Sequence, residues 1–245
     1  MSQAVEHITP YSDERDKAAQ VREMFDSIAP AYDFMNRAMT FGIDKLWRRK
    51  AVKMIVADKP GKILDVATGT ADLAITLSQK LPEAEITGVD LSEKMLSIGR
   101  EKIAGRGRKE KITLIQADGT SLPFADNSFD SVTISYGIRN FASIPDGYRE
   151  MFRVLKPGGT LTVVELARPV NKVALGLYSF YSRRLIPFMG RLVSKDKAAY
   201  SYLPESIVAV DQREEMTALI EDAGFREAKY HPMTFGTCII YRALK

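Results

Sequence analysis

From Gly61 to Leu166 short apolar runs alternate with helical stretches, and nothing else in the chain limits its fold as severely. Lys62-Ile63-Leu64-Asp65-Val66, Ile86-Thr87-Gly88-Val89-Asp90, Ile112-Thr113-Leu114-Ile115, Phe129 to Ser135 and Thr160 to Leu166 are short and rich in β-branched residues. That pattern suits buried strands better than helices. Helical patterns run from Ala71 to Lys80, from Ser92 as N-cap to about Ala104, and from about Pro145 to Leu155, where Lys156-Pro157-Gly158-Gly159 stops the last of them. Strands joined through helices must pair in parallel, which predicts an α/β fold with helices on both faces of one sheet.

The flanks complete this picture. Before Gly61, Val21, Phe25, Ile28 and Ala29 fall at helical spacing until Pro30 breaks the run, and a second helical stretch covers Leu46 to Val56. Residues 1–60 therefore read as an N-terminal helical cap and 61–166 as the core. Residues 167–245 supply further helices and a closing strand pair, all within a single domain spanning 1–245. A long apolar helical stretch is expected from Val173 to Val193, interrupted by Pro187 and Gly190. Asp211-Gln212-Arg213-Glu214 has the form of a capping box opening a helix that Ala223-Gly224 ends. Arg226 to Tyr230 and Thr237 to Ala243, separated by Pro232 and Gly236, read as an antiparallel pair, which raises the sheet to seven strands, most of them parallel.

Composition excludes several classes. With 45% hydrophobic residues among 245 the chain can bury a substantial core. Its one cysteine, Cys238, and two histidines, His7 and His231, leave no material for a disulfide framework or a multi-cysteine or histidine-rich metal site, so no metal is expected. Neither a signal peptide nor a membrane span is expected, which points to a cytoplasmic protein, soluble or peripheral at the inner face of a membrane. Lys and Arg exceed Asp and Glu by 35 − 31 = 4, too slight an excess to call for nucleic acid.

Ligands of such sheets bind beyond the carboxyl ends of the strands, and three features fall there. The loop Asp65-Val66-Ala67-Thr68-Gly69-Thr70-Ala71-Asp72 joins the first strand to a helix through small residues, as close approach of a ligand to the backbone requires. Asp90 ends the second strand, 90 − 70 = 20 residues beyond Thr70, where a carboxylate can accept from a ribose diol. Asp118-Gly119 follows the third strand, placed to meet an adenine. A dinucleotide fingerprint would put a glycine where Asp72 stands, beside a doubly charged pyrophosphate. Asp65 and Asp72 instead favour a cationic ligand, and S-adenosyl-L-methionine, with its ammonium and sulfonium, is preferred over a dinucleotide.

These segments, together with Arg153-Val154-Leu155-Lys156-Pro157-Gly158-Gly159, resemble class I methyltransferases. Three more are specific: Phe25 to Asn36, Ile134-Ser135-Tyr136-Gly137-Ile138-Arg139-Asn140 and Tyr200-Ser201-Tyr202-Leu203-Pro204-Glu205-Ser206. They resemble the ubiquinone/menaquinone biosynthesis C-methyltransferases, from about Val21 to the C-terminus. The resemblance implies a Rossmann-like sheet and methylation of a ring carbon of a demethylated polyprenyl quinol, here a naphthoquinol. It implies cofactor contacts at Thr70, Asp90, Asp118 and Gly119, with Ser135 beside the cofactor; Asp65 and Gly69 join these candidates from the loop itself. Two places depart from the family: Asp44-Lys45-Leu46-Trp47 stands where a His-Arg pair usually precedes the Trp, and Val210-Asp211 stands where Phe-Pro is usual.

No histidine falls in these motifs, so Arg139 and Asn140 are the catalytic candidates, holding a quinolate oxygen by charge and hydrogen bonding. Tyr32, Asn36 and Tyr202 are the candidates for enclosing the ring. Gly176 to Met189 mix aromatic, aliphatic and basic residues and suit either a core helix or a wall for the prenyl tail with contact to a membrane surface. Methylation of oxygen or nitrogen on another small molecule, a dual ubiquinone and menaquinone role, a non-catalytic nucleotide-binding role and a homodimer all stay open on the residues alone.

Overall fold

The computed structural model describes residues 4–171, 175–176 and 197–245. Five strands follow the alternation: β1 (Lys62–Val66), β2 (Glu85–Asp90), β3 (Ile112–Gln116), β4 (Phe129–Ser135) and β5 (Leu155–Leu166); β6 (Arg226–Met233) and β7 (Cys238–Leu244) close the sheet. Their order is β3-β2-β1-β4-β5-β7-β6, and β7 alone runs against the rest. Order reverses between β1 and β4, so the crevice at the carboxyl ends of these two strands is the switch point where ligands enter such sheets.

Eight α-helices fall among the described residues: α1 (Lys17–Ile28), α2 (Tyr32–Met39), α3 (Asp44–Ala57), α4 (Asp72–Lys80), α5 (Glu93–Gly105), α6 (Ile144–Val154), α7 (Lys197–Ala209) and α8 (Glu214–Asp222). Strand residues alternate between the two faces, and the core divides accordingly. Leu64, Val132 and Leu161 pack with Tyr148 and Met151 of α6 and Met216 and Ile220 of α8. Ile63 and Ile86 pack on the other face with Val52 and Ile55 of α3 and Leu73 and Leu77 of α4. A third cluster, Met24, Ile28, Met35, Met95 and Tyr202, joins α1, α2, α5 and α7 into a layer of its own. Ser92 caps α5, accepting from Met95 N–H at 3.1 Å, and donates to Asp26 Oδ1 of α1 at 2.5 Å, which ties that layer to the sheet side.

Two expectations change, and a third is met: the helical run of α1 does stop at Pro30, ending at Ile28. Pro30 sits inside a single 3-10 turn, Ala29–Ala31, between α1 and α2, at a first-turn position where its missing N–H costs nothing. The Pro157-Gly158-Gly159 stop is absorbed into β5, whose pairing starts at Leu155 opposite Phe129 and shifts register before Thr160 opposite Ser131. The capping box does not form: α8 starts at Glu214 with Arg213 as N-cap at φ 59° and no side-chain cap. Tertiary bonds have claimed that turn instead, because Gln212 donates to Ile207 O at 2.7 Å and accepts from Arg168 N–H at 2.9 Å, while Arg213 N–H donates to the Tyr241 hydroxyl at 2.9 Å. The helical stretch expected from Val173 to Val193 lies outside the described residues, apart from 175–176.

Candidate active site

The loop after β1 holds Ala67, Gly69 and Ala71 at φ 51°, 56° and 62°. For alanine this left-handed region costs about 1–2 kcal/mol per residue, strain that the surroundings must hold in place. They do so through Asp90, whose Oδ2 accepts from Gly69 N–H at 2.8 Å and whose Oδ1 accepts from Ser92 N–H at 2.9 Å. Burial pushes the Asp90 carboxyl up to about 6, against the opposing pull of these N–H groups. Gly88 makes room on the neighbouring strand, since a Cβ there would stand 2.9 Å from the Thr68 side chain.

Asp65, deep in the sheet and 1% exposed, accepts from the Thr68 hydroxyl at 2.7 Å through Oδ2. Its Oδ1 is buried without a hydrogen-bond partner. Burial pushes this carboxyl up to about 7, the Thr68 bond opposing.

Two small cavities meet over this loop. One, of about 60 Å³, is lined by Gly69, Asp90, Ala117, Gly119 and Ser135, among others. The other, of about 50 Å³, is lined by Asp65, Thr68, Gly69, Thr70 and Ser135. They share Tyr32 and Tyr136 as well. Six of the seven residues expected around the cofactor therefore line this pair. Asp118 does not, because its Oδ1 is turned back to accept from Thr120 N–H at 2.8 Å and Thr120 Oγ1 at 2.7 Å, closing a turn behind Gly119. Asp72 also differs from the expectation. It pairs with Arg48 at 3.0 Å and with Lys102, which hold it below the usual carboxylate range against the effect of burial, so its charge is already neutralised. Of the two acids read as attracting a cation, Asp65 alone keeps an oxygen for one. The Thr70 hydroxyl is likewise committed, donating to Asp33 Oδ1 at 2.6 Å and accepting from Lys102 at 3.0 Å.

A third cavity, of about 290 Å³, opens beside them. Its walls are apolar, from Met24, Phe25, Met35, Met39, Trp47 and Leu203, and its polar groups gather at Asn36, Tyr136, Arg139, Asn140 and Tyr202. Phe25, Tyr32, Tyr136 and Asn140 line both this cavity and the Asp90 cavity, so the two are neighbours across four side chains. All five residues expected at the acceptor side, Tyr32, Asn36, Arg139, Asn140 and Tyr202, border the large cavity.

Arg139 is no surface arginine at a strand end. It lies in a 3-10 turn, Ile138–Asn140, just past β4, and is 6% exposed. Nη1 donates to Glu165 Oε1 and to Tyr136 O, each at 2.6 Å. Burial opposes its charge, but Glu165 and neighbouring tyrosines more than offset this and the guanidinium stays protonated. Its Nε–H is buried without an acceptor. Asn140 accepts from the Tyr202 hydroxyl at 3.1 Å through Oδ1, which orients its amide. Burial raises the Tyr32 and Tyr202 phenols, so both stay neutral hydroxyls able to donate.

Three contributors went unread in the sequence. Glu165 is a buried acid near the end of β5, the same signal that marked Asp65 and Asp90 on their strands. Lys17 of α1 donates to Val5 O at 2.6 Å and to Arg139 O at 3.2 Å, pinning the arginine's turn to the N-terminal layer; burial lowers its ammonium to about 8. Nothing in its sequence context distinguishes it from a surface lysine. Asp44, buried in α3, accepts from Thr40 Oγ1 at 2.9 Å and pairs with Arg48 at 3.5 Å, so the Asp44 segment builds one wall of the large cavity.

Comparisons with known proteins agree with this geometry. The chain is 45% identical over 245 residues to the demethylmenaquinone methyltransferase of Bacteroides fragilis, covering the whole of both chains. It is 44% identical over 231 residues to the ubiquinone/menaquinone biosynthesis C-methyltransferase of Geobacter sulfurreducens, covering 94% of this chain and 90% of that one. Among solved structures, an S-adenosylmethionine-dependent methyltransferase of Thermotoga maritima superposes with a TM-score of 0.64 at 20% identity, covering 91% of this chain and 99% of that one. The family model of the ubiE/COQ5 methyltransferases matches residues 13–245, and the chain belongs to that family of S-adenosylmethionine-dependent enzymes.

Proposed function

We propose that the protein methylates a ring carbon of a demethylated polyprenyl naphthoquinol, converting demethylmenaquinol to menaquinol. The observation that carries this is the apolar cavity of about 290 Å³ with the buried guanidinium of Arg139 on its wall, whose Nε–H has no acceptor. A flat, largely apolar acceptor that develops one anionic oxygen matches both features. The relatives' names point to the same acceptor class.

The residues present fit S-adenosyl-L-methionine. Asp65 Oδ1, buried and lacking a partner, suits an ammonium, and Gly69 and Gly119 leave the backbone accessible on either side of Asp90. S-Adenosyl-L-methionine supplies a methyl group on a sulfonium. Everything else falls to the chain. Asp90, Gly69, Gly119 and Ser135 would hold the nucleoside portion at the switch point, and Asp65 would hold the ammonium of the amino-acid portion. Tyr32 and Tyr136, which border all three cavities, stand between the donor and acceptor sites.

On the acceptor side, loss of the hydroxyl proton pushes electron density onto the adjacent ring carbon. Arg139 Nε–H stabilises the resulting oxygen anion, and Asn140, oriented by Tyr202, holds the same oxygen. Arg139 stays charged and takes no proton; water reached through the large cavity accepts the hydroxyl proton. After the methyl has joined the ring carbon, the same water removes that carbon's own proton while the oxygen is reprotonated, restoring the aromatic quinol. Tyr32, Asn36 and Tyr202 fix the ring against the methyl donor, and such orientation is worth up to about 7–11 kcal/mol of a barrier. A polyprenylated acceptor supports a working position at a membrane surface, with the cytoplasmic inner face as the proposed location.

The test is a panel of acceptors with radiolabelled methyl donor. Reduced naphthoquinols are expected to take label, and their oxidised forms none, because the quinone ring carbon is not nucleophilic. Label confined to acceptors that are not quinols would refute the reading.

A further inference from the structure

Between Phe34 and Lys50 the exposed side chains are of two kinds only. Phe34, Phe41 and Leu46 are apolar, 64%, 73% and 56% exposed, and Arg37, Lys45, Arg49 and Lys50 are cationic. The single acid of the segment, Asp44, is buried against Thr40 and Arg48. Phe41 sits at φ 50° on the turn between α2 and α3 and borders the large cavity. Phe235, 82% exposed at φ 56°, stands on a second turn, Thr234–Gly236, which Trp47 ties to α3 by a 2.8 Å bond from Nε1 to Thr234 Oγ1. Thr234 borders the same cavity. Phe41 and Phe235 are thus largely exposed, in a backbone region that favours glycine, on two turns that each contribute a residue to the wall of one apolar cavity.

Beside this collar lies a cleft of about 190 Å³ lined by Arg37, Lys45, Arg48, Arg49 and Arg106 together with Ile75, Thr76 and one acid, Asp72, which is already paired with Arg48 and Lys102. Arg48 is spent on Asp44 and Asp72. The side chains of Arg37, Lys45, Arg49 and Arg106 form no hydrogen bond within the described residues. Four unspent cations around one cleft suit a phosphate-bearing group, and an adjoining aromatic collar suits the acyl region beneath phosphates.

We infer that the face formed by α2, the α2–α3 turn and α3 docks on an anionic phospholipid bilayer, with phosphate headgroups in the Arg37–Arg106 cleft and Phe41 and Phe235 in the acyl boundary. Docking in this pose sets the mouth of the cavity against the lipid. This deepens the quinol reading and rests on it for its purpose, since a polyprenyl tail longer than the cavity must leave through that mouth. The charge complementarity is specific. A neutral bilayer offers the collar nothing for its cations, and a soluble polyanion offers nothing for its phenylalanines.

Full-length protein is to be sedimented with quinone-free vesicles of phosphatidylcholine alone or with added phosphatidylglycerol. Binding is expected to the anionic vesicles and to weaken with salt. Lys45→Gln with Arg49→Gln is expected to lower it roughly 30-fold, about fivefold per cation. Phe34→Ser with Leu46→Ser is expected to lower it while leaving the salt dependence in place. Both double variants should methylate a tail-less naphthoquinol at the wild-type rate, which shows that they fold. Equal binding to neutral and anionic vesicles would overturn the inference, as would undiminished binding by the charge variant. So would inorganic phosphate or heparin binding without vesicle binding, or a dimer in solution that Phe34→Ser with Leu46→Ser dissociates. Vesicle binding by a protein inert towards every quinol would instead sink the quinol reading and leave the docking face standing.

Discussion

Arg139 and Asp65 show how one buried charge can be arranged for two different tasks. Arg139 keeps its charge because Glu165 faces it, and it keeps a free donor because Glu165 and Tyr136 engage only Nη1. Arg139→Lys retains a cation for Glu165 but has no Nε–H at that point. Turnover is expected to fall about 10²–10³-fold, the scale of losing one anion-stabilising donor, with methyl-donor affinity within a factor of two. Single-turnover rates and calorimetry separate these quantities; equal loss in both would make Arg139 structural. Asp65, pushed up to about 7 by burial, is largely protonated below that pH in the empty site. A cation at its free oxygen favours the ionised form, so binding should release a proton near pH 6–7 and tighten as pH rises through 7. Calorimetry in buffers of different ionisation enthalpy checks this, and Asp65→Asn should abolish the release. The same shift has a stability consequence. The unfolded carboxyl titrates near 3.8 and the folded one near 7, so the folded state binds more protons in between, and this group's contribution falls as pH rises from 4 to 7.

At the scale of elements, the ends of β1 and β4 must approach closely to form the crevice. Gly137 allows this: a Cβ there would lie 2.5 Å from the Ala67 Cβ, in the loop that lines both small cavities. Gly137→Ala should destabilise the protein by about 1–3 kcal/mol, the usual cost of overpacking, and weaken methyl-donor binding more than tenfold. Denaturant unfolding and cofactor titration measure the two effects, and an unaltered affinity would show that the loop does not carry the donor. These strands were also the most legible elements in the sequence, because a buried parallel strand must be short, apolar and followed by a crossover. The acids closing β1 and β2 were legible for the same reason, since a charge at the end of such a strand has few structural uses. Asp72 and the 211–214 turn misled because their partners, Lys102, Arg48 and Tyr241, come from remote segments that local pattern does not reveal. Lys17 was silent for that reason too. The specific acceptor residues, Tyr32, Asn36 and Tyr202, came from family resemblance rather than from spacing, as their meeting at one cavity depends on how α2 and α7 pack over the sheet.

For the whole molecule, the division of labour is spatial. The sheet holds a polar, strand-end site, and residues of α1, α2, α3 and α7 line an apolar one, with Phe25, Tyr32, Tyr136 and Asn140 between them. No described helix is long and apolar enough to cross a membrane. In the inferred docked pose, a prenylated acceptor reaches the cavity from the bilayer, past the exposed Phe41 and Phe235. The central claim is that this paired geometry directs a methyl group to carbon. Its most direct test is to run the reaction with ¹³C-methyl donor and reduced demethylated naphthoquinol and to locate the label in the product by NMR. The result expected is a methyl carbon on the ring, in a product that reoxidises to a quinone. Label on a quinol oxygen, as a methyl ether that no longer reoxidises, would contradict it.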